Sequence, residues 1–124
     1  TPEQASLYEI VLQANQAGIE AARPGATFTD VDKAARAVIA EAVYEDQFIH
    51  SVGHQLGIDA HDPDPDGPLV PGMVITVEPG IYLAGQGMGI RIEDDVLITK
   101  TRPRVLTDGI PKTVEAIESA MRGR

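Results

Sequence analysis

The residues best suited to chemistry in this sequence are three histidines and two glutamates. His50, His54 and His61 are the only histidines and lie within twelve residues of one another. Glu78 closes the run Met-Val-Ile-Thr-Val-Glu, and Glu93 lies in Ile-Arg-Ile-Glu-Asp-Asp. A carboxylate inside an apolar strand is costly to bury unless it is paired or binds a cation. Two such carboxylates facing an imidazole therefore indicate a metal site with oxygen and nitrogen ligands, which suits Mn, Fe, Co or Zn.

The same residues also permit an interpretation without a metal. Arg91 lies two residues before Glu93 and four before Asp95, and could form an ordinary surface ion pair with either carboxylate. His61, in the sequence Asp-Ala-His-Asp, is typical of a solvated histidine in a loop. Spacing alone leaves both interpretations open.

Two helices are predicted within residues 1–43, ahead of these side chains. The first begins at Thr1, where Gln4 can complete a capping box, and ends at Pro24-Gly25. The second begins at Thr29, with carboxylates in its first turn that interact favourably with the helix dipole. Apolar residues recur at helical spacing in both segments, so each helix is expected to pack one face against a sheet.

Residues 44–124 are predicted to form mostly strands and loops. β-Branched residues favour strands, and three prolines within seven residues exclude a central strand between the first two of them. The predicted elements are strands over roughly Phe48–Leu56, Met73–Leu83 and Gly89–Thr99, a loop over Asp62–Pro68, and a short closing helix over Thr113–Met121. Because side chains alternate along a strand, His50 and His54 are expected to point to the same face.

The composition excludes several classes of function. A length of 124 residues corresponds to one small domain or to part of a larger one. Ten Lys and Arg against 19 Asp and Glu give a net charge of −9, which argues against nucleic acid as a partner because phosphates require a basic face. The absence of cysteine excludes a disulfide scaffold, thiolate metal sites and cysteine catalysis, and fits a cytoplasmic location. No apolar run approaches the roughly 18 residues of a membrane span, so no membrane partner is expected.

Three motifs occur in a characteristic order. They are His50-Ser-Val-Gly-His54-Gln-Leu-Gly57, Glu78-Pro-Gly-Ile-Tyr82 and Gly89-Ile-Arg-Ile-Glu93-Asp-Asp95. Together they resemble the second half of the catalytic domain of the pita-bread metallopeptidases, in particular the proline-specific branch of aminopeptidase P and Xaa-Pro dipeptidase (prolidase). The resemblance extends over essentially the whole chain. It implies a single α+β domain over residues 1–124, with two N-terminal helices packed on a mostly antiparallel curved sheet and a short C-terminal helix.

The resemblance also implies a role for each candidate residue. The family binds two divalent ions, commonly manganese, with cobalt or zinc as alternatives; His54 and Glu78 would ligate one ion and Glu93 would bridge both. An activated water between the ions would attack the carbonyl that precedes proline in the peptide substrate. His50 and His61 match catalytic histidines placed around the substrate. Arg91 matches an arginine that orients the bridging carboxylate or the substrate.

Two of the family's five metal ligands have no counterpart in this sequence. They are aspartates on a strand pair that precedes the two helices, whereas Asp30, Asp32 and Asp46 lie in or beside the predicted helices. We therefore expect the amino-terminal half of the catalytic domain to be absent from these residues. The chain alone would then be incomplete or inactive, and would associate with itself or with the missing half, because the uncovered face would expose apolar groups.

Two departures from the family pattern leave the substrate length open. Gln55 stands where many relatives carry glycine, and the loop between Asp62 and Pro71 lacks the arginine with which some prolidases hold a substrate carboxylate. Aminopeptidase and dipeptidase activities are therefore both compatible with the sequence. The alternatives are a non-catalytic pita-bread module that binds peptides or proteins, and a metal-free hydrolase of the creatinase type. Retention of all the candidate residues favours an enzyme.

Overall fold

Three helices and six short strands make up the regular structure of the computed structural model, which describes residues 1–63 and 67–123. The helices are α1 (Pro2–Ala21), α2 (Phe28–Glu41) and α3 (Val114–Arg122). The strands are β1 (Gln55–Leu56), β2 (Val74–Val77), β3 (Gly80–Leu83), β4 (Met88–Arg91), β5 (Asp94–Leu97) and β6 (Arg104–Val105). All strand pairs are antiparallel, in a four-stranded sheet of order β1-β2-β5-β6 and a two-stranded sheet of β3 and β4. The predicted α+β class is confirmed.

The core lies between the first two helices and the strands. Its fully buried side chains include Val11, Val31, Ile39, Ile75, Val77, Ile81 and Val96 from α1, α2, β2, β3 and β5, and Val52, Leu69 and Ile98 from the connecting segments. Among the described helices, none combines the length and apolar character needed to cross a membrane.

Helix α1 follows the sequence prediction. Thr1 and Gln4 form the expected capping box, with the Gln4 amide donating to Thr1 Oγ1 at 3.3 Å. The helix ends at Ala21, three residues before Pro24, whose missing N–H and fixed φ prevent continuation. Its apolar face is buried as predicted, and one polar side chain, Asn15, is buried with it at 1% exposure.

Helix α2 begins at Phe28, not at Thr29 as predicted. Thr27 is the N-cap: its hydroxyl accepts from the Asp30 amide at 3.3 Å, and Asp30 Oδ2 accepts from the Thr27 amide at 2.8 Å. The bond from the Thr27 backbone, and then that from its hydroxyl, hold the pKa of the Asp30 carboxyl below its usual range. Thr29 and Asp32 have the same spacing as Thr27 and Asp30, so the sequence alone does not distinguish the two starts.

Helix α2 ends in a Schellman motif that places a valine where glycine is usual. The Tyr44 amide donates to Ile39 O at 3.1 Å and the Val43 amide donates to Ala40 O at 2.9 Å. Val43 therefore adopts a φ of 66°, a conformation that crowds the Cβ of an L-residue, and its side chain is 87% exposed.

Val43→Gly is expected to raise the free energy of unfolding by about 1 kcal/mol, because it removes the left-handed strain and loses little packing. Urea denaturation measures the change. Val43→Ala is the matched control, since it also loses the exposed side chain but keeps a Cβ at positive φ. Equal stability of the two variants would contradict this explanation.

The two long strands predicted over Met73–Leu83 and Gly89–Thr99 form one antiparallel ribbon that is interrupted near its middle. On one side of the break Val77 lies opposite Asp94, and on the other Gly80 lies opposite Arg91. The register is the same on both sides, so Glu78 falls opposite Glu93 at the break. Pro79 follows Glu78 and has no N–H to donate to a ladder, which accounts for the interruption.

Asn15 of α1 holds this break in place. Its side-chain Nδ2 donates to Val77 O at 2.9 Å and reaches Ile92 O at 3.4 Å. These carbonyls belong to the residues directly before Glu78 and Glu93. A buried polar group must be hydrogen-bonded, and here the bonds join the helix to both strands beside the two glutamates.

The strand predicted over Phe48–Leu56 is wrong for most of its length, because only Gln55–Leu56 joins the sheet ladder. The preceding segment still runs beside β2, with the Glu78 amide donating to Val52 O at 2.7 Å and the Thr76 amide donating to His54 O at 2.9 Å. The carbonyls of Phe48 and His50 accept from a side chain of α2 instead of a strand. Strand β6 was not predicted.

The remaining predictions concern the loop and the closing helix. Of the predicted loop over Asp62–Pro68, residues 64–66 lie outside the described residues, and Asp62 forms an isolated bridge with Gln55. The closing helix is confirmed as α3, with Thr113 as its N-cap accepting from the Ala116 amide at 3.2 Å.

Candidate active site

An open cleft lies where the segment before β1 meets the break in the ribbon. It contains five of the six residues predicted to form the site. The cleft is lined by His50, Ser51, Gly53, His54, His61, Asp62, Glu78 and Arg91. Glu93 is the predicted site residue that does not line it.

His54 and Glu78 form the centre of the cleft. His54 Nε2 lies 3.3 Å from Glu78 Oε1, and the two side chains are only 18% and 13% exposed. His54 Nδ1 lies 3.0 Å from Gln55 O, and since a carbonyl only accepts, Nδ1 carries the hydrogen. In the neutral imidazole the Nε2 lone pair then faces a carboxylate oxygen. Two acceptors at this distance require a proton or a cation between them, and a backbone-bonded Nδ1–H is the usual arrangement of a metal-ligating histidine.

Thr76 joins the backbone of His54 to the carboxylate of Glu78, although no role was predicted for it from the sequence. It is fully buried, accepts a bond from the His54 amide at 3.0 Å, and lies 3.1 Å from Glu78 Oε1, to which its hydroxyl donates. The available signal was position, because Thr76 precedes Glu78 by two residues on a strand and so shares its face.

Arg91 pairs with Glu78 and not with Glu93 or Asp95, the partners that its spacing suggested. Its Nε lies 3.8 Å from Glu78 Oε2, on the side of the carboxylate opposite Thr76 and His54. The Arg91 side chain is 52% exposed, so the pair contributes little to stability. Its effect is to orient the second oxygen of Glu78.

His50 is held by Tyr82 and by the backbone. Its Nδ1 lies 2.7 Å from Ser51 O and therefore donates, which leaves Nε2 to accept from the Tyr82 hydroxyl at 2.9 Å. The His50 ring also meets the rings of Phe48 and Tyr82 edge-on, with centroids 5.2 and 5.3 Å away. Tyr82 lies within the second motif but was given no role from the sequence.

His61 and Glu93 occupy the margins of the site. The His61 ring stacks on His54, with centroids 3.9 Å apart and planes 24° apart, so this exposed histidine belongs to the cleft. Glu93 is exposed and lies across the ribbon break from Glu78. Within residues 1–63 and 67–123, no three His, Cys, Asp or Glu side chains are arranged to hold a metal ion. The described residues therefore bring together two predicted ligands, His54 and Glu78, and leave Glu93 nearby.

The family assignment follows from a match over most of the chain. The sequence profile of metallopeptidase family M24 matches residues 1–100. The chain belongs to metallopeptidase family M24. The resemblance inferred from the three motifs is therefore confirmed.

Relatives within family M24 include enzymes named for proline-containing substrates. The chain is 46% identical over 110 residues to the Xaa-Pro dipeptidase of Pyrococcus furiosus, covering 85% of this chain and 31% of the relative. It is 36% identical over 152 aligned residues to Xaa-Pro aminopeptidase 1 of Streptomyces coelicolor, covering 95% of this chain and 31% of the relative. The chain thus spans about a third of the length of the curated relatives it matches.

Solved structures of a prolidase and of an aminopeptidase share the fold. The prolidase of Pyrococcus horikoshii superimposes with a TM-score of 0.84 at 41% identity, over 92% of this chain and 34% of that one. Aminopeptidase PepP of Pseudomonas aeruginosa gives a TM-score of 0.90 at 36% identity, over 99% of this chain and 35% of that one. These similarities confirm the predicted pita-bread architecture for the part of the fold that this chain contains.

Proposed function

We propose that residues 1–124 form one structural unit, the carboxy-terminal half of the catalytic domain of a cytoplasmic metal-dependent peptidase. The whole enzyme would hydrolyse the bond before proline in peptides with proline at the second position. The observation that carries this proposal is the 3.3 Å approach of His54 Nε2 to Glu78 Oε1, with His54 Nδ1 bonded to a backbone carbonyl, in a cleft of an M24 chain. The names of the relatives support the choice of substrate.

The donor set fits a divalent cation. His54 and Glu78 would hold one ion and Glu93 would bridge to a second, with manganese as the first choice and cobalt or zinc as alternatives. Glu93 lies opposite Glu78 in the ribbon register, and two like charges at that position are unfavourable unless a cation lies between them. When bound, such ions activate water and polarise the substrate carbonyl. Two further ligands, both aspartates, would come from a segment outside these 124 residues.

The chain's own residues then bind substrate and move protons. His50 and His61 line the cleft on either side of His54 in sequence. His61 would hydrogen-bond the substrate and assist proton transfer to the leaving nitrogen, and His50 would do the same once its Nε2 exchanges the Tyr82 hydroxyl for the substrate. The His50 Nδ1–H bond to Ser51 and the Tyr82 hydroxyl on Nε2 fix the orientation of its ring. Arg91 directs one oxygen of Glu78 while Thr76 directs the other.

Titration with Mn²⁺, followed by NMR line broadening, tests the metal site without relying on turnover. Signals of His54 and its neighbours are expected to broaden first, and Glu78→Gln is expected to weaken this effect at least tenfold. Glu118→Gln is the matched control, because Glu118 is 59% exposed and pairs with Arg122 on α3. Equal line broadening in Glu78→Gln and in the unmodified chain would contradict the assignment of Glu78 as a ligand.

Hydrolysis of an Xaa-Pro dipeptide and of a longer Xaa-Pro peptide, with and without Mn²⁺, tests the reaction. Manganese-dependent turnover that is lost in Glu78→Gln would support a peptidase that completes its site by association, and the longer peptide would separate aminopeptidase from dipeptidase. Peptide binding without Mn²⁺ dependence would favour the second candidate, a non-catalytic binding module. That candidate is favoured by the finding that only two ligands meet within the described residues.

A further inference from the structure

We propose that Asp32 and Arg36 of α2 act as positioning residues for His50, and we name this ion pair the Asp32–Arg36 clamp. The inference rests on the proposed function, because it assigns the clamp to a histidine of the proposed site. It concerns the segment 48–52, which carries His50 into the cleft without forming a strand ladder.

The clamp bonds to the backbone of this segment at every second residue. Arg36 Nη1 donates to Phe48 O at 2.8 Å and Arg36 Nη2 donates to His50 O at 2.7 Å. The Val52 amide donates to Asp32 Oδ1 at 3.1 Å. In a sheet, a neighbouring strand also forms its hydrogen bonds with every second residue of an extended segment. The side chains of one helix therefore replace a strand along this edge.

The clamp itself has a fixed geometry. Arg36 Nε lies 2.6 Å from Asp32 Oδ2 and Nη2 lies 3.3 Å from Oδ1, so the guanidinium and the carboxylate meet side by side. A planar guanidinium pairs with a carboxylate in a defined direction, which a lysine cannot reproduce. The two side chains are 32% and 26% exposed, so water screens the attraction between their charges. The clamp should therefore affect the position of the segment more than the stability of the fold.

The same guanidinium also supports the His50 ring through aromatic contacts. Arg36 Cζ lies 4.1 Å from the centroid of the Phe48 ring, and the Phe48 ring meets the edge of His50. Tyr82 bonds His50 from the other side. His50 is thus held at its carbonyl and at its ring by contacts that lead back to Arg36. Loss of the guanidinium would therefore remove a restraint on the His50 carbonyl and on the His50 ring.

A second ion pair in the chain provides the comparison. Arg122 and Glu118 of α3 are also four residues apart, with 2.9 Å between Nη2 and Oε2, and their side chains are 78% and 59% exposed. The hydrogen bond of Arg122 is to Glu118 on its own helix. If any such helical pair had the same influence, Arg122→Lys would disturb the cleft as much as Arg36→Lys.

The test compares Arg36→Lys and Asp32→Asn with Arg122→Lys by NMR on the metal-free chain. Both clamp variants are expected to shift the His50 ring signals and to reduce exchange protection of the Val52 amide about tenfold. The urea midpoint should fall by less than about 0.5 M, because the pair is partly exposed. Asp32→Asn keeps the side-chain shape, so it preserves the test if Arg36→Lys does not fold. Unchanged His50 signals, or equal shifts in Arg122→Lys, would overturn the proposal.

Kinetics separate this inference from the proposed function. If the unmodified chain binds Mn²⁺ and turns over, Arg36→Lys should lower kcat about tenfold or more while the Mn²⁺ affinity stays the same, because the clamp does not contact His54 or Glu78. An unmodified chain that does not bind Mn²⁺ would contradict the proposed metal site, and with it the role of the clamp in the reaction. An active chain whose kcat is unaffected by Arg36→Lys would contradict the clamp alone.

Discussion

Gly53→Ala is expected to lower the free energy of unfolding by about 3 kcal/mol or more, because the new methyl group has no space. A Cβ at this position would lie 2.0 Å from Thr76 O and 2.9 Å from Thr76 Oγ1. Thr76 is fully buried in β2, so its backbone cannot move away without disturbing the core. The segment that contains Gly53 would have to separate from β2.

Separation of this segment from β2 would also disturb the candidate active site. The Glu78 amide bonds to Val52 O and the Thr76 amide bonds to His54 O, on either side of Gly53. Both bonds would be stretched, and His54 would move with its backbone. We therefore expect the variant to lose the His54–Glu78 pair even under conditions where most of the chain stays folded.

Urea denaturation measures the stability, and the His54 ring signals report the site. Gly109→Ala is the matched control, because a Cβ there would meet no heavy atom of residues 1–63 and 67–123 within 4 Å. Its free energy of unfolding should change by less than about 0.5 kcal/mol. If both alanine variants lost the same stability, the close approach of Gly53 to Thr76 would not be the cause.

Local sequence rules predicted the helices because their signals are carried by neighbouring residues. The capping box of Thr1 and Gln4 and the stop at Pro24 depend on residues within one helical turn of each end. The start of α2 was misplaced because Thr27 and Thr29 each have an aspartate three residues later. Only the structure shows that Asp30 caps the helix and that Asp32 bonds to Arg36 and Val52 instead.

The bounds of the strands were predicted less well than those of the helices, because they depend on contacts that a local sequence window does not contain. The β-branched residues of Met73–Leu83 predict one strand, but Pro79 removes a ladder donor and divides the segment into β2 and β3. The segment 48–52 has strand-like composition, yet two of its carbonyls bond to Arg36, which lies 12 and 14 residues away. No pattern within a window of a few residues contains that partner.

The candidate site was also predicted only in part. The family resemblance of the three motifs predicted a site that includes His50, His54, His61, Glu78 and Arg91, and these five residues line one cleft. Thr76, Tyr82 and Asn15 were missed because their roles depend on hydrogen bonds between distant segments, which type and spacing do not specify.

Lys112→Met is expected to lower the free energy of unfolding by about 3 kcal/mol, because it leaves a buried carboxylate without its cation. Asp94 is 1% exposed, and Lys112 Nζ lies 3.0 Å from its Oδ1. The Thr107 hydroxyl donates to the same oxygen and would be the remaining partner. Lys112 also donates to Thr107 O at 2.9 Å, so the loop after β6 would lose a second contact. Urea denaturation of the variant measures the loss.

The double variant Asp94→Asn/Lys112→Met distinguishes an uncompensated charge from lost packing. Removing both charges should restore most of the stability, whereas a packing loss would persist or increase. Tyr8 reports the charge of Asp94 independently: burial chiefly, then Asp94 and Glu9, raise its pKa, so Asp94→Asn should lower that pKa while the effect of burial remains. Restored stability in the double variant would mean that the ion pair with Lys112 offsets the cost of burying the Asp94 carboxylate. Asp94 directly follows Glu93, so this ion pair lies beside the proposed bridging ligand. A double variant as unstable as Lys112→Met would instead assign the loss to the contacts of the lysine side chain.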